Sequence, residues 1–293
     1  MNNLPEYKII AASLHALLKL AYAEDIGSGD ITTSAIIQDN RTALADIKAK
    51  EDLVVCGLPL AAEVFSFMGH SIKNVIYKEQ EGSRVRRGTV LMTVEAGLAT
   101  LLTMERTALN LLQRLSGIAT KTAAFVEQLE GSRIKLLGTR KTVPGMRLLD
   151  KYAVKTGGGS NHRLGLYDMF MIKDNHIRAA GGPRQALRLV RAANKARKEK
   201  KLIEVECNTL AAVEEILPEL PDIIMLDNMD DYKLRQAVKI IDRKARIEVS
   251  GNITKGRLPG LKRLPIDYIS SGGLTHSFAA ADIALDIRDN AAS

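Results

Sequence analysis

The chain has 293 residues, 46% of them hydrophobic and 26% charged, a composition suited to one large globular domain or two modest ones. No apolar run of membrane-spanning length occurs, and the opening MNNLPEYKII has no charged-then-apolar leader pattern, so no membrane partner and a cytoplasmic location are expected. The net charge of +8 raises nucleic acid as a partner, but aromatic residues are only 4% with no Trp, and the densest basic run, RAANKARKEKK (191–201), closes a helical pattern; no nucleic-acid partner is expected. Cys56 and Cys207 lie far apart without a CxxC spacing and read as reduced, inert thiols.

In chain order, helical patterns at 12–24 and 99–115 flank short strands in ALADIKAKED, HSIKNVIYKE and TVLMTVEA, with GSRVRRG (82–88) as a turn between strands. This region predicts an N-terminal α/β layer over residues 1–115. ERTALNLLQRLSGIATKTAAFVEQL (105–129) keeps apolar residues at helical spacing and leads into a different organisation. There, RIKLLGT, MFMIKDN, LIEVECN, DIIMLDN, RIEVSGN and DYISSGG are six apolar, mostly β-branched runs ending abruptly in polar or Gly residues. Helical patterns at 183–199, 209–217, 230–243 and near 256–263 separate the later ones. Strand, polar tip and helix repeated in this way predict a parallel α/β barrel over 116–275, and six strands rather than eight make it incomplete. The tail THSFAAADIALDI (275–287) is predicted to be a helix that packs back on either domain.

Parallel barrels carry their chemistry at the C-terminal strand ends. Those ends here bear Arg140 and Lys141, Lys173 and Asp174, Glu206, Asp227, Ser250 to Asn252, and Ser271 to Gly273. Arg140 and Lys141 suit an anion, although a lone pair of loop cations is common. His162 and Arg163 follow the glycine run 157–159 and make a compact hydrogen-bonding fork. Lys173 is a substrate cation or an ion-pair partner, with Asp174 the nearest acid in sequence. Glu206 and Asp227 end successive strands and are expected side by side, where they could hold a divalent metal, bind sugar hydroxyls, stabilise a developing cation, or answer the nearby lysines. The tips Ser250-Gly251-Asn252 and Ser271-Gly272-Gly273 offer backbone N–H groups to a phosphate. A cationic side, an acidic pair and a phosphate cradle describe a site for a polyanionic acid and a phosphorylated sugar, with transfer through an oxocarbenium-like centre.

The motifs EDIGSGDITT (24–33), ERTALNLLQRLSGIAT (105–120), TRKTVPGMRLLDKYAV (139–154), GGGSNHR (157–163), IKDNHI (172–177), EVE (204–206), LDNM (226–229), EVSGNIT (248–254) and SSGGLTHS (270–277) occur in one order along the chain. In these the sequence resembles the quinolinate phosphoribosyltransferase (nicotinate-nucleotide pyrophosphorylase) family. The resemblance implies an open, seven-stranded α/β barrel beside an N-terminal α/β sandwich that the C-terminal tail (276–293) joins. It implies condensation of quinolinate with phosphoribosyl pyrophosphate to nicotinate mononucleotide, pyrophosphate and carbon dioxide in NAD biosynthesis, with Mg2+ and no organic cofactor. It further implies that Arg140, His162, Arg163 and Lys173 hold quinolinate, joined by Arg106 from a neighbouring subunit of a homodimer or higher oligomer with shared active sites. Lys141, Glu206, Asp227 and the two glycine-bearing tips would hold the phosphoribosyl group and its metal, with Lys141, Glu206 and Asp227 catalytic. Two departures are noted: the family usually has Asp at the position of Gly138 and Ala at that of Gly273, so one supporting partner of the cations is missing. Alternative readings are a molybdenum-transport-associated paralogue of the same fold and a non-catalytic anion-binding barrel. Retention of Asn161-His162-Arg163 and Lys173-Asp174-Asn175 favours the biosynthetic enzyme over the paralogue.

Overall fold

The computed structural model describes residues 5–288, so the ends of the expected first domain (1–4) and of its tail (289–293) lie outside the described residues. Among the described residues two compact units emerge: residues 5–123 with 142–158 and 274–288, and residues 124–141 with 159–273.

The first unit opens with helices α1 (Pro5–Asp25) and α2 (Ile31–Ile36). Asp30 caps α2 by accepting from the Thr33 N–H at 2.9 Å, one of the orphan donors of a helix start. Strand β1 (Thr42–Ala49) follows, then β2 (Leu53–Val54), helix α3 (Leu58–Phe65), β3 (Ile72–Tyr77), β4 (Arg84–Val85) and β5 (Val90–Gly97). β1 and β3 both pair antiparallel with β5. The expected turn at 82–88 contains a short strand after all, since β4 pairs with β2. Helix α4 (Leu98–Val126) buries Leu101, Met104, Ala108, Leu112, Leu115, Ile118 and Ala119, an apolar stripe at intervals of three and four. The boundary expected at 115/116 therefore falls inside a continuous helix. Helix α5 (Arg147–Thr156) also belongs to this unit, where the Arg114 guanidinium grips Asp150 through two bonds of 2.8 Å.

The second unit is the barrel: β6 (Lys135–Gly138), β7 (Ser160–Asn161), β8 (Phe170–Ile172), helices α6 (Asp174–Ala180) and α7 (Pro183–Lys195), β9 (Ile203–Cys207), α8 (Leu210–Ile216), β10 (Ile223–Asp227), α9 (Asp231–Ile241), β11 (Arg246–Ser250), α10 (Leu258–Leu261) and β12 (Tyr268–Ser271). All seven strands are parallel, in the order β7-β6-β12-β11-β10-β9-β8, leaving β7 and β8 as open edges. The strand beyond the six expected from sequence is β7, two polar residues that carry no apolar signal. The basic run at the end of α7 caps that helix: the Lys200 ammonium donates to the carbonyls of Asn194, Lys195 and Arg197.

After β12 the chain passes through a single turn, α11 (Gly273–His276), and returns to the first unit as β13 (Ile283–Arg288), which pairs antiparallel with β1. The tail is thus a strand and not the expected helix. Its alanines favour a helix locally, but Ile283, Leu285 and Ile287 alternate, and the free edge of β1 accepts them. Arg288 locks the pairing by donating to the buried Asp46 at 2.8 Å. Helix α4 comes so close to the returning chain that a Cβ on Gly117 would lie 2.2 Å from the Ala279 carbonyl oxygen.

Candidate active site

Strand alternation decides which side chains enter the barrel. In β9, Ile203, Val205 and Cys207 are buried on one face, so Glu204 and Glu206 project from the other. In β11 the same rule sends Arg246, Glu248 and Ser250 inward, and in β10 it sends Met225 and Asp227. The barrel interior is therefore more ionic than an all-parallel sheet usually tolerates.

At the C-terminal strand ends the second unit assembles Arg140, Lys141, Lys173, Glu206, Asp227 and the glycine-bearing tips. The Arg140 Nε is buried without a hydrogen-bond partner inside the protein, the state expected of a donor that waits for an anion. Lys141 is exposed beyond β6, its N–H held by the Thr139 hydroxyl at 3.1 Å. The Lys173 ammonium binds the Glu206 carboxylate, not Asp174, whose carboxylate accepts instead from the Asn175 N–H at 2.7 Å. Glu206 and Asp227 are not level with one another. Glu206 lies opposite Met225, and Asp227 is one inward position further up, opposite Ser250.

The expected tip of β11, Ser250-Gly251-Asn252, is fixed by Asn228 and Arg257, to which sequence reasoning gave no role. Asn228 and Asn252 both adopt left-handed backbone, with φ of 53° and 49°. Asn228 donates to Asp227 at 2.7 Å and accepts from the Asn252 amide at 3.2 Å. Gly251 has φ 88°, and a Cβ there would lie 2.2 Å from the Asn228 Oδ1 and 2.8 Å from its backbone N. Arg257 ties this turn to the next by donating to the Gly251 carbonyl at 3.1 Å and the Met229 carbonyl at 2.6 Å. Ser271 is buried at the end of β12, and Gly272 and Gly273 are half-buried where the chain turns into α11.

His162 departs from its expected role. Its side chain is turned inward, and both ring nitrogens are engaged by the protein. Nε2 lies 2.9 Å from the Glu204 carboxylate and 3.4 Å from that of Glu248, both fully buried. Nδ1 accepts the Arg163 N–H at 2.8 Å, so in the neutral ring the hydrogen resides on Nε2, the nitrogen that lies near the two carboxylates. Burial pulls the imidazole pKa down, but hydrogen bonds to Glu204 and Glu248 and their charges override it and push it up to about 9. A second ring proton would face the Arg163 N–H, so the ring becomes charged only if that bond opens. Burial in turn pushes the Glu204 carboxyl up to about 7. Arg163 is itself buried and donates to the Met169 carbonyl at 3.1 Å.

Glu204 and Glu248 were missed because EVE and EVSGN were read for their tips. The available signal was an acid inside a parallel strand that should be wholly apolar. A cavity of about 350 Å3 lies at the other end of the barrel, where Ile223, Arg246 and Tyr268 begin their strands, and it reaches inward to His162 and Arg163. Arg106 belongs to the first unit, exposed on α4, apart from the other site residues in the chain.

Comparison with known proteins agrees with this architecture. Residues 30–116 match the model of the quinolinate phosphoribosyl transferase N-terminal domain, and residues 118–286 match that of its C-terminal domain. The chain is 40% identical over 274 residues to the probable nicotinate-nucleotide pyrophosphorylase [carboxylating] of Bacillus subtilis, covering 94% of this chain and 93% of that one. It is also 40% identical over 278 residues to the nicotinate-nucleotide pyrophosphorylase [carboxylating] of Mycobacterium leprae, covering 92% and 95%. The solved structure of the nicotinate-nucleotide pyrophosphorylase from Francisella tularensis superposes with a TM-score of 0.88 at 34% identity, over 98% of each chain. With both domain models matched over most of the chain, it belongs to the quinolinate phosphoribosyltransferase family.

Proposed function

We propose that the protein joins quinolinate to the ribose of phosphoribosyl pyrophosphate and releases pyrophosphate and carbon dioxide, forming nicotinate mononucleotide for NAD biosynthesis. The single observation that carries the site assignment is the buried, unpartnered Nε of Arg140 together with the Lys173–Glu206 ion pair at the C-terminal strand ends of the barrel. Arg140, with its unsatisfied Nε, and Lys173 take the two quinolinate carboxylates; Arg163 joins them once its guanidinium leaves the Met169 carbonyl, and His162 supports the Arg163 main chain instead of touching the substrate. A dicarboxylate then outcompetes nicotinate, which lacks one anchoring charge. Arrival of the dicarboxylate draws Lys173 from Glu206 and frees that carboxylate to face the ribose.

The pyridine nitrogen donates its lone pair to the anomeric carbon as the bond to pyrophosphate breaks. Glu206 and Asp227 lie beside the cationic ribose, and Lys141 with the tips Ser250-Gly251-Asn252 and Ser271-Gly272-Gly273 receives the phosphates. The alkylated nitrogen is then positive. It stabilises the electron pair left on the neighbouring carbon when carbon dioxide departs, and that carbon takes up a proton. The substrate is its own electron sink, so no organic cofactor is required.

Two carboxylates, one engaged by Lys173 and the other by Asn228, suit a magnesium ion carried mainly by the diphosphate, since this ion keeps most of its shell as water and phosphate oxygens. Among the described residues no helix is long and apolar enough to cross a membrane. Arg106, on the unit that lacks the barrel, serves the quinolinate site of a neighbouring copy in a homodimer. The decisive assay is incubation with quinolinate, phosphoribosyl pyrophosphate and magnesium. Nicotinate mononucleotide should form, nicotinate and nicotinamide should be poor substrates, and equal turnover of nicotinate and quinolinate would refute this reading of the pocket.

A further inference from the structure

Two fully buried carboxylates, Glu204 and Glu248, have no part in the reaction described above. Buried ionic groups are a poor way to gain stability, because apolar residues of similar volume are often at least as good. Their presence calls for another use. Both converge on one atom, the Nε2 of His162, at 2.9 and 3.4 Å. The opposite ring nitrogen receives the N–H of the very next residue, Arg163, at 2.8 Å. The imidazole is thus a rigid strut between two acids on β9 and β11 and the main chain at Arg163.

The backbone explains why a strut is needed. β7 has only two residues, pairs on one side alone, and is followed by residues 162–169 with no regular element. The sheet ladder stops at Asn161, and one further bond, from the His162 N–H to the Gly138 carbonyl at 3.0 Å, carries the chain on. Beyond it the ladder gives Arg163 no support. We infer that Glu204 and Glu248 are positioning residues that, through the His162 ring, hold Arg163 in place as an anchor for the dicarboxylate substrate. The inference rests on the proposed function for what Arg163 binds, and on the geometry alone for the strut.

The test uses the intact protein and two glutamate variants. Glu204→Leu removes the acceptor while keeping the volume, and Glu204→Gln keeps an acceptor oxygen. At a pH above the raised His162 pKa of about 9, where the ring is neutral, nitrogen NMR should report the Nε2–H tautomer in wild type and in Glu204→Gln, and a mixed or altered tautomer in Glu204→Leu. Quinolinate should bind roughly tenfold or more weakly to Glu204→Leu, with Glu204→Gln near wild type, while the KM for phosphoribosyl pyrophosphate and the unfolding temperature change little. A folded Glu204→Leu protein with wild-type quinolinate affinity would overturn the inference, as would equal losses for both substrates, the mark of a general structural defect. Should Glu204→Leu fail to fold, Glu248→Leu, which removes the longer contact, is read by the same criteria. If wild type binds no quinolinate, the proposed function fails, and the strut is then judged on the His162 tautomer and the Arg163 amide shift across the same variants.

Discussion

Gly251→Ala puts the phosphate-cradle reading under direct stress. The residue sits at φ 88°, where an L side chain costs about 1–2 kcal/mol. The new Cβ would stand 2.2 Å from Asn228 Oδ1 and 2.8 Å from the Asn228 backbone N. The side chain could swing away, at the loss of its bonds to Asp227 and from Asn252, about 0.5–1.5 kcal/mol each net of exchange with water. The backbone cannot follow cheaply, because the Asn228 N–H is bonded to the Ser250 carbonyl at 3.0 Å. Together these set a cost of about 2–5 kcal/mol, some 4–20 °C in unfolding temperature at about 2–4 °C per kcal/mol. If part of the strain is relieved by moving the tip, the KM for phosphoribosyl pyrophosphate should rise roughly tenfold, the equivalent of about 1.4 kcal/mol, with that for quinolinate less affected. Thermal unfolding and steady-state kinetics of the variant decide the matter. An unfolding temperature within a degree of wild type would refute the strain argument. A clear loss of stability with both KM values unchanged would keep the geometry and remove this tip from the substrate site.

Lys173→Ala should leave the fold intact, since the side chain is 42% exposed, and should lower kcat/KM for quinolinate at least tenfold, from a charge-assisted contact of roughly 1.5–3 kcal/mol; near-normal turnover at low quinolinate would make Lys173 only the ion-pair partner of Glu206. Arg106→Ala and Lys173→Ala proteins, each nearly inactive, should regain about a quarter of wild-type activity when dissociated together and reassociated, because about half the dimers are mixed and one of their two sites is intact; no recovery despite confirmed subunit exchange would place Arg106 in its own subunit's site or in none. Asp30→Ala should cost about 1 kcal/mol at neutral pH through loss of the α2 cap. The Thr33 hydroxyl and N–H hold the Asp30 carboxyl below its usual 3.8, so the stabilisation is complete above that pH and fades as pH falls through the depressed folded value. Denaturant titrations of wild type and variant should therefore converge in acid, and a constant gap would show that charge plays no part.

The sequence by itself determined the repeating barrel and the identity of its polar tips, because a strand that stops at a polar residue is a local signal. MFMIK and DIIMLD announce both the element and the residue at its end. It determined the long helix α4 for the same reason, through a stripe spaced by threes and fours over about five turns. What it did not determine was anything that depends on a partner far along the chain. The tail reads as a helix until β1 offers it an edge some 240 residues away, and β7 is invisible until Gly138 and Asn161 pair. Lys173 lies beside Asp174 in sequence, yet its ammonium finds Glu206, because strand alternation turns Lys173 and Glu206 into the same interior. His162 stood out in the sequence as a candidate, but which way its ring faces is set by two acids on other strands. Periodicity is written in neighbouring residues; the direction of a buried charge is set by whichever opposite charge the fold brings within reach, since low dielectric makes leaving it alone too costly.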